Sequence, residues 1–192
     1  MDSPNASVRP LIISTRLRIE PVEERHATAM FDLLDDPELH RYLNGGPLSL
    51  EHLQKQYALL SSGKSRDGTE LWLTWIMLQR SEQANPVGYI QATIREPEQF
   101  FVAYVVGRDH WREGLAKEAV TAMIDTVFER YQVKRAIIEM DTRNLASIGL
   151  AQALEFRFVE TVRDGEDPDG AEAYEHVYEL KRAEWSASRS RH

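Results

Sequence analysis

The residues of this chain best suited to chemistry gather around one loop. Val105-Val106-Gly107-Arg108-Asp109-His110-Trp111-Arg112-Glu113-Gly114-Leu115-Ala116-Lys117-Glu118-Ala119 reads as a buried strand turning tightly into a long helix. Amides in the first turn of a helix lack intrahelical acceptors and lie at the positive end of the helix dipole, so they can satisfy the oxygens of an anion. Small residues at Gly114 and Ala116 let a ligand approach the backbone, while Arg112 and Lys117 add positive charge. Gly114, Ala116, Arg112 and Lys117 together fit a diphosphate. A blander alternative uses the same residues: Gly114 permits a turn, Ala116 packs, and the two cations are solvated. The segment contains neither Gly-x-Gly-x-x-Gly nor Gly-Lys-Ser/Thr, so NAD and ATP lose support as ligands.

Other chemistries are narrowed by what is missing. The chain has no cysteine, which excludes disulfides, thiolate metal sites and cysteine nucleophiles. Its six histidines form no His-x-x-x-His pair, so no metal is expected. A net charge of −8 disfavours nucleic acid as a partner, because that grip comes from clustered Lys and Arg. The same charge draws a cationic substrate such as an amine by long-range steering. Residues 1–10 are short, polar and proline-containing, unlike a signal peptide or a membrane span, so a cytoplasmic protein with no membrane partner is expected.

The elements that must position this loop follow from periodicity. At 192 residues, 42% hydrophobic and 28% charged, the chain has the size and composition of a single domain with its core over about residues 11–185. Thr15 to Ile19 alternates as a half-buried strand does. Helical spacing then runs from Val22 to Leu34, through Ala27, Met30 and Phe31, and ends at Asp36-Pro37. A second helical stretch carries Leu39, Tyr42 and Leu43, and Ser49 caps a third with Leu53, Tyr57 and Leu60. Three strands follow at 71–78, 87–94 and 100–106, and they read as an antiparallel meander. Residues 115–130 form the strongest helix, with Leu115, Ala119, Val120, Met123, Ile124, Val127 and Phe128 as its stripe. A strand at 135–140, a helix at 145–154, a strand at 156–162, a loop at 164–170 and a strand at 174–180 complete the order, and 186–192 is expected to fray. Helices, a meander and a strand-helix-strand unit make an α/β fold with a mixed, mostly antiparallel sheet of about seven strands.

Several segments, in order, resemble the GNAT superfamily of N-acetyltransferases, in particular its RimJ/RimL-like branch. Thr15-Arg16-Leu17-Arg18-Ile19 resembles the opening strand, and Pro86-Val87-Gly88-Tyr89-Ile90 a Gly-containing strand. Tyr104 to Ala119 resembles the acetyl-CoA motif. Asn144-Leu145-Ala146-Ser147 matches an Asn-x-x-Ser helix start, and Tyr178 to Trp185 resembles the closing segment.

The resemblance implies a sheet that splays into a V between its fourth and fifth strands, 100–106 and 135–140. The pantetheine arm of acetyl-CoA, or of another acyl-CoA, would lie there against backbone groups of Tyr104, Val105 and Val106, with the diphosphate on residues 112–117. The implied reaction is direct attack of a primary amine, on a small molecule or a protein N-terminus, on the thioester. By resemblance Ser147 donates to the departing thiolate, or only bonds locally in a first helical turn. Asn144 touches the pantetheine arm, caps its helix, or does both. Tyr178 is an alternative acid, or core. The alternative to an enzyme is a catalytically silent acyl-CoA-binding module, motivated by Phe101, which stands where relatives often carry a Glu base. Glu139 and Asp141 are the nearest carboxylates by sequence. Trp111 stands where the general motif has Gln or Arg, Arg112 where the branch usually has Gly, and Glu155 replaces the Gly before Phe156. A homodimer stays open, as does the identity of the acceptor.

Overall fold

The computed structural model describes residues 9–42, 46–96, 98–166 and 170–189. Eight strands form one sheet: β1 (Ile12–Ile13), β2 (Leu17–Pro21), β3 (Leu71–Gln79), β4 (Pro86–Glu96), β5 (Gln99–Val106), β6 (Arg135–Asp141), β7 (Arg157–Glu166) and β8 (Glu172–Lys181). Their spatial order is β1-β2-β3-β4-β5-β6-β8-β7. Among the described residues five helices flank it: α1 (His26–Leu34), α2 (Leu50–Ser61), α3 (Leu115–Arg130), α4 (Leu145–Ala153) and α5 (Arg182–Arg189). The expected α/β fold with a mixed, mostly antiparallel sheet is what forms. The strand beyond the expected seven is β1, whose two residues pair with Ile19 and Arg18.

Alternation along the central strands divides the core. On β3, Leu73, Trp75 and Met77 join a cluster with the stripe of α3, while Ile76 faces the other way into a second cluster with Val22, Ala27, Met30, Leu53 and Tyr57. One strand thus holds helices on both faces, because successive side chains point to opposite sides. All seven expected stripe residues of α3 are buried.

The splay is explicit in the pairing. β5 and β6 run parallel and pair only at Gln99–Arg135, Phe100–Ala136 and Phe101–Ile137. Beyond that point β5 stays with β4 as far as Gly88–Val106, and β6 stays with β8 as far as Asp141–Glu175. The backbones are close at Gly88, whose φ is +153° and where a Cβ would lie 2.0 Å from the Val105 carbonyl oxygen. That contact explains the glycine in the Pro86–Ile90 segment.

Four expectations change. Residues 22–25 are not helical and α1 begins at His26, since Pro21 still lies in β2 opposite Trp75. The second helical stretch reduces to a 3-10 turn, Pro37–His40, capped by Asp36, with Leu43 outside the described residues. The 164–170 loop shortens, because β7 runs on to Glu166 opposite Glu172. The C-terminal residues expected to fray are helical up to Arg189: Trp185 is buried, its indole N–H donates to Asp125 Oδ1 at 2.7 Å, and Arg189 Nη2 donates to Asp125 Oδ2 at 2.7 Å.

Helix α4 closes with Phe156 N–H on Ala151 O and Glu155 N–H on Gln152 O, both at 3.0 Å. That pattern needs a left-handed residue after the helix, usually glycine, and Glu155 occupies it at φ +63°. Glu155→Gly should therefore stabilise the fold by about 1 kcal/mol, raising Tm by about 2–4 °C; a melt of the two proteins checks it.

Candidate active site

The loop between β5 and α3 is a row of open donors. Trp111 N–H is the last to find an acceptor, on Arg108 O at 3.0 Å, and the next is Glu118 N–H on Gly114 O at 3.1 Å. Among the described residues the amides of 112–117 between them have no acceptor. Two left-handed residues shape this row, Arg112 at φ +62° and Gly114, the residue before α3, at φ +76°. Arg112 thus holds a conformation that glycine adopts without strain, which accounts for the glycine usual at that position. The side chains of Arg112 and Lys117 are exposed and form no ion pair among the described residues, so both remain available to an anion.

The row is held from the far edge of the sheet. Arg16 Nη1 donates to Glu113 O at 2.8 Å and its Nε to Glu118 Oε2 at 2.7 Å. Its backbone N–H and the Ser14 hydroxyl both donate to Glu118 Oε1 at 2.7 Å. Burial by itself would raise the Glu118 carboxyl, but the bonds from Arg16 and Ser14 outweigh it and hold the group below its ordinary range. In the sequence Arg16 stands only within a strand pattern; no local spacing links it to a helix a hundred residues on.

The inner edge of the V carries the remaining residues. Gly107 N–H bonds to Val87 O at 2.8 Å, and the antiparallel alternation then turns Val105 toward Tyr89 and the backbone groups of Tyr104 and Val106 toward the gap. The Val106 carbonyl accepts the Trp111 indole N–H at 2.7 Å. The ring that replaces Gln or Arg thereby ties the loop to the strand. From the same strand the Tyr104 hydroxyl donates to Ser147 Oγ at 3.0 Å, and burial pushes its phenol up, with the Ser147 bond a smaller opposing effect. Asn144 caps α4, its Oδ1 accepting Ser147 N–H at 3.1 Å. The structure therefore joins Tyr104, Ser147 and Asn144 across the gap. The sequence motif implies only a backbone role for Tyr104, and its phenol is an addition that the fold supplies.

Tyr178 stands apart from that group. It is 5% exposed on β8, with its ring edge-on to Phe158 and near His176, and no hydrogen bond joins it to Ser147 or Tyr104. Phe101 lies at the last β5–β6 pair, its ring under the Arg95 guanidinium at 4.5 Å. Asp141 is engaged by Arg143, which bonds it through Nη2 at 2.7 Å, and this holds the carboxyl below its ordinary range. Glu139 is exposed on β6. Glu175, opposite Asp141 on β8, is the one described carboxyl pushed upward, by burial first and then by the charges of Asp164, Glu139 and Asp141. Sequence reasoning missed it because the pairing of β8 with β6 on one side and β7 on the other brings those charges together.

On the α1–α2 face of the sheet a cavity of about 480 Å³ is lined by Phe31, Leu34, Leu53, Tyr57 and Leu60 from the helices and by Thr74, Tyr89, Gln91 and Val105 from β3, β4 and β5. Val105 follows directly on Tyr104, so the cavity and the gap meet at one stretch of β5. Among the described residues no group of His, Asp and Glu could hold a metal ion, and no helix is long and apolar enough to cross a membrane.

Comparison with known proteins gives one family. The model of the acetyltransferase (GNAT) domain matches residues 16–157. The p20 protein of Bacillus licheniformis, named as an uncharacterized N-acetyltransferase, is 24% identical over 175 residues, 91% of this chain and 98% of that protein. RimL, a ribosomal L7/L12 α-N-protein acetyltransferase solved with coenzyme A, superposes with a TM-score of 0.77 at 18% identity, over 91% of this chain and 99% of its own. A GNAT-family acetyltransferase from Bacillus anthracis superposes at 0.75 with 17% identity, over 90% and 98%. At these identities the two superpositions speak for the fold.

Two outcomes follow from the loop. Gly114→Val forces a branched residue to φ +76° and should weaken an anionic ligand of the loop far more than Lys117→Ala, which removes one solvated charge worth about 0–1 kcal/mol; calorimetry with acetyl-CoA compares them. The lowered Glu118 carboxyl stabilises the fold fully above its unfolded pKa of about 4.3 and loses that effect as pH falls through the folded value. Glu118→Gln should therefore lower Tm at pH 7, by about 1–3 kcal/mol of stability, with the deficit shrinking below about pH 4.

Proposed function

Because the chain belongs to the acetyltransferase (GNAT) family, and so transfers an acyl group from acyl-CoA to an amine, we propose that it is a cytoplasmic enzyme of one catalytic domain that acetylates a primary amine by direct attack. The observation that carries the site assignment is the row of six unpartnered amides at 112–117 beside the free inner edge of β5. In this reading the amides, Arg112 and Lys117 hold the diphosphate, the Tyr104 and Val106 edge holds the pantetheine arm, and the amide group of Asn144 faces that arm. Acyl-CoA supplies the activated thioester carbonyl. The chain supplies position and protons.

Ser147 Oγ accepts the Tyr104 O–H and so keeps its own proton to donate to the departing sulfur. Burial keeps Tyr104 protonated behind it, which makes the pair a better acid than Tyr178 in its aromatic cluster. The amine is held to lose its proton to solvent, since Phe101 offers no base and Asp141 is committed to Arg143. The acceptor enters from the cavity on the α1–α2 face. The RimL likeness raises a protein N-terminus as one acceptor class, and its fold-level identity carries no more than that.

Ser147→Ala should lower kcat by roughly 10–100-fold while acetyl-CoA affinity moves little, because the donated proton matters in the transition state. With amines of graded pKa, kcat/KM should track the neutral fraction, which for an alkyl ammonium of pKa about 10.4 is about one molecule in two thousand at pH 7. A pH profile fixed by one enzyme group whatever the amine, and abolished in Glu175→Gln or Glu139→Gln, would show that a dedicated base exists.

A further inference from the structure

The lining of the acceptor cavity is selective. Its walls are mainly apolar, and no Asp, Glu, Lys or Arg stands among its described lining residues. Uncharged polar groups interrupt this surface, on His40, Gln56, Tyr57, Thr74, Tyr89 and Gln91, and two of their hydroxyls stand out. Tyr57 OH and Thr74 Oγ1 are the only buried side-chain polar atoms among the described residues that lack a hydrogen-bond partner, and both residues line this same cavity. They come from different elements, α2 and β3, and are 3% and 1% exposed. Buried polar groups are almost always bonded, so two unbonded ones on residues that line one cavity mark where a bound molecule completes them.

Resting on the acetyltransferase reading, we propose that the acceptor is a small, largely apolar amine of weak basicity, such as an aromatic amine, carrying an oxygen function that bonds the Tyr57 and Thr74 hydroxyls. An ammonium ion in this cavity would find no counter-charge among the described side chains, and burying an unpaired charge is far costlier than burying a neutral amine. Polyamines bring several such charges. The missing carboxylate at Phe101 points the same way, because a nitrogen that is already neutral needs no base before it attacks. Burial pushes the Tyr57 phenol up, so it remains a donor, and the Thr74 hydroxyl can donate or accept. A volume of about 480 Å³ suits one compact molecule. The balance is simple: the amine nitrogen forms a C–N bond to the acyl carbon, the C–S bond breaks, the amine gives up one proton to solvent, and the sulfur leaves as the thiol.

The test measures thiol release from acetyl-CoA with 4-methoxyaniline, its near-isostere 4-ethylaniline, spermidine and a tripeptide, together with the Tm shift caused by coenzyme A alone. Both anilines should exceed spermidine and the tripeptide in kcat/KM. Tyr57→Phe and Thr74→Val should each raise KM for 4-methoxyaniline roughly five- to tenfold, leave KM for 4-ethylaniline and acetyl-CoA in place, and lower Tm in neither case. The unmoved constants and Tm separate a recognition role from a structural one. Faster turnover of spermidine or the tripeptide would overturn the proposal, as would an unchanged KM for 4-methoxyaniline in both variants, or a coenzyme A shift with no turnover of either aniline. If coenzyme A gives no shift and no amine releases thiol, the acetyltransferase reading falls along with it.

Discussion

Everything in the site depends on the brevity of one strand pairing. β5 and β6 share three residue pairs and then part, each staying paired with its outer neighbour, β4 or β8. A parallel pair running its full length would bury the inner edges of both strands and leave no room between them. Because it stops at Phe101, the backbone groups of Tyr104 and the N–H of Val106, whose carbonyl is taken by Trp111, lie on an open edge inside a sheet rather than at its margin. That edge leads straight into the loop whose amides are also unpaired, so one excursion of chain, from Tyr104 to Lys117, offers donors and acceptors along its length. α4 closes the far side of the opening, and the Tyr104–Ser147 bond is the span between the two walls.

An open edge and an open loop need support from elsewhere. Arg16 supplies it by bonding a loop carbonyl and the carboxylate of Glu118 together, and Ser14 adds a third contact. The Glu118 carboxylate in the first turn of α3 also sits favourably at the positive end of that helix, where it leaves the exposed amides to a ligand. Trp111 fastens the other end of the loop to β5. Rigid supports at both ends and a left-handed backbone at Arg112 and Gly114 hold the donors apart from one another and facing outward. A preset array of this kind loses little entropy when it receives an anion.

Much of this was legible in the sequence where the signal was local. The stripe from Leu115 to Phe128, the cap at Ser49, the strand at 135–140 and the Asn144–Ser147 helix start all formed as their spacing required. Apolar spacing overextends the helix at 22–34 because it continues through residues whose backbone is still leaving β2. The end of the chain looks frayed in sequence because Trp185 reveals its purpose only when Asp125 is beside it. The same limit applied to the site. Glycine-like positions at Arg112 and Glu155 were visible as departures from a pattern, yet their left-handed backbones needed coordinates. The Arg16–Glu118 clamp, the Tyr104 phenol and the charges around Glu175 join residues far apart in sequence, and no period or motif records such pairs.

Global charge and local lining give different answers about the acceptor, and magnitude decides between them. A net charge of −8 attracts cations over a distance of order the Debye length, about 8 Å at physiological ionic strength, and so affects encounter more than residence. The cavity acts at contact distance, where Phe31, Leu34, Leu53 and Leu60 line the wall and an unpaired charge held against them meets the cost of desolvation. That cost exceeds the gain from long-range steering, so the acidic surface can gather amines of every kind while the cavity admits those that arrive neutral. The hydroxyls of Tyr57 and Thr74 then discriminate among the neutral ones, because an analogue lacking the matching oxygen leaves two buried groups unbonded, a penalty that apolar contact alone does not impose.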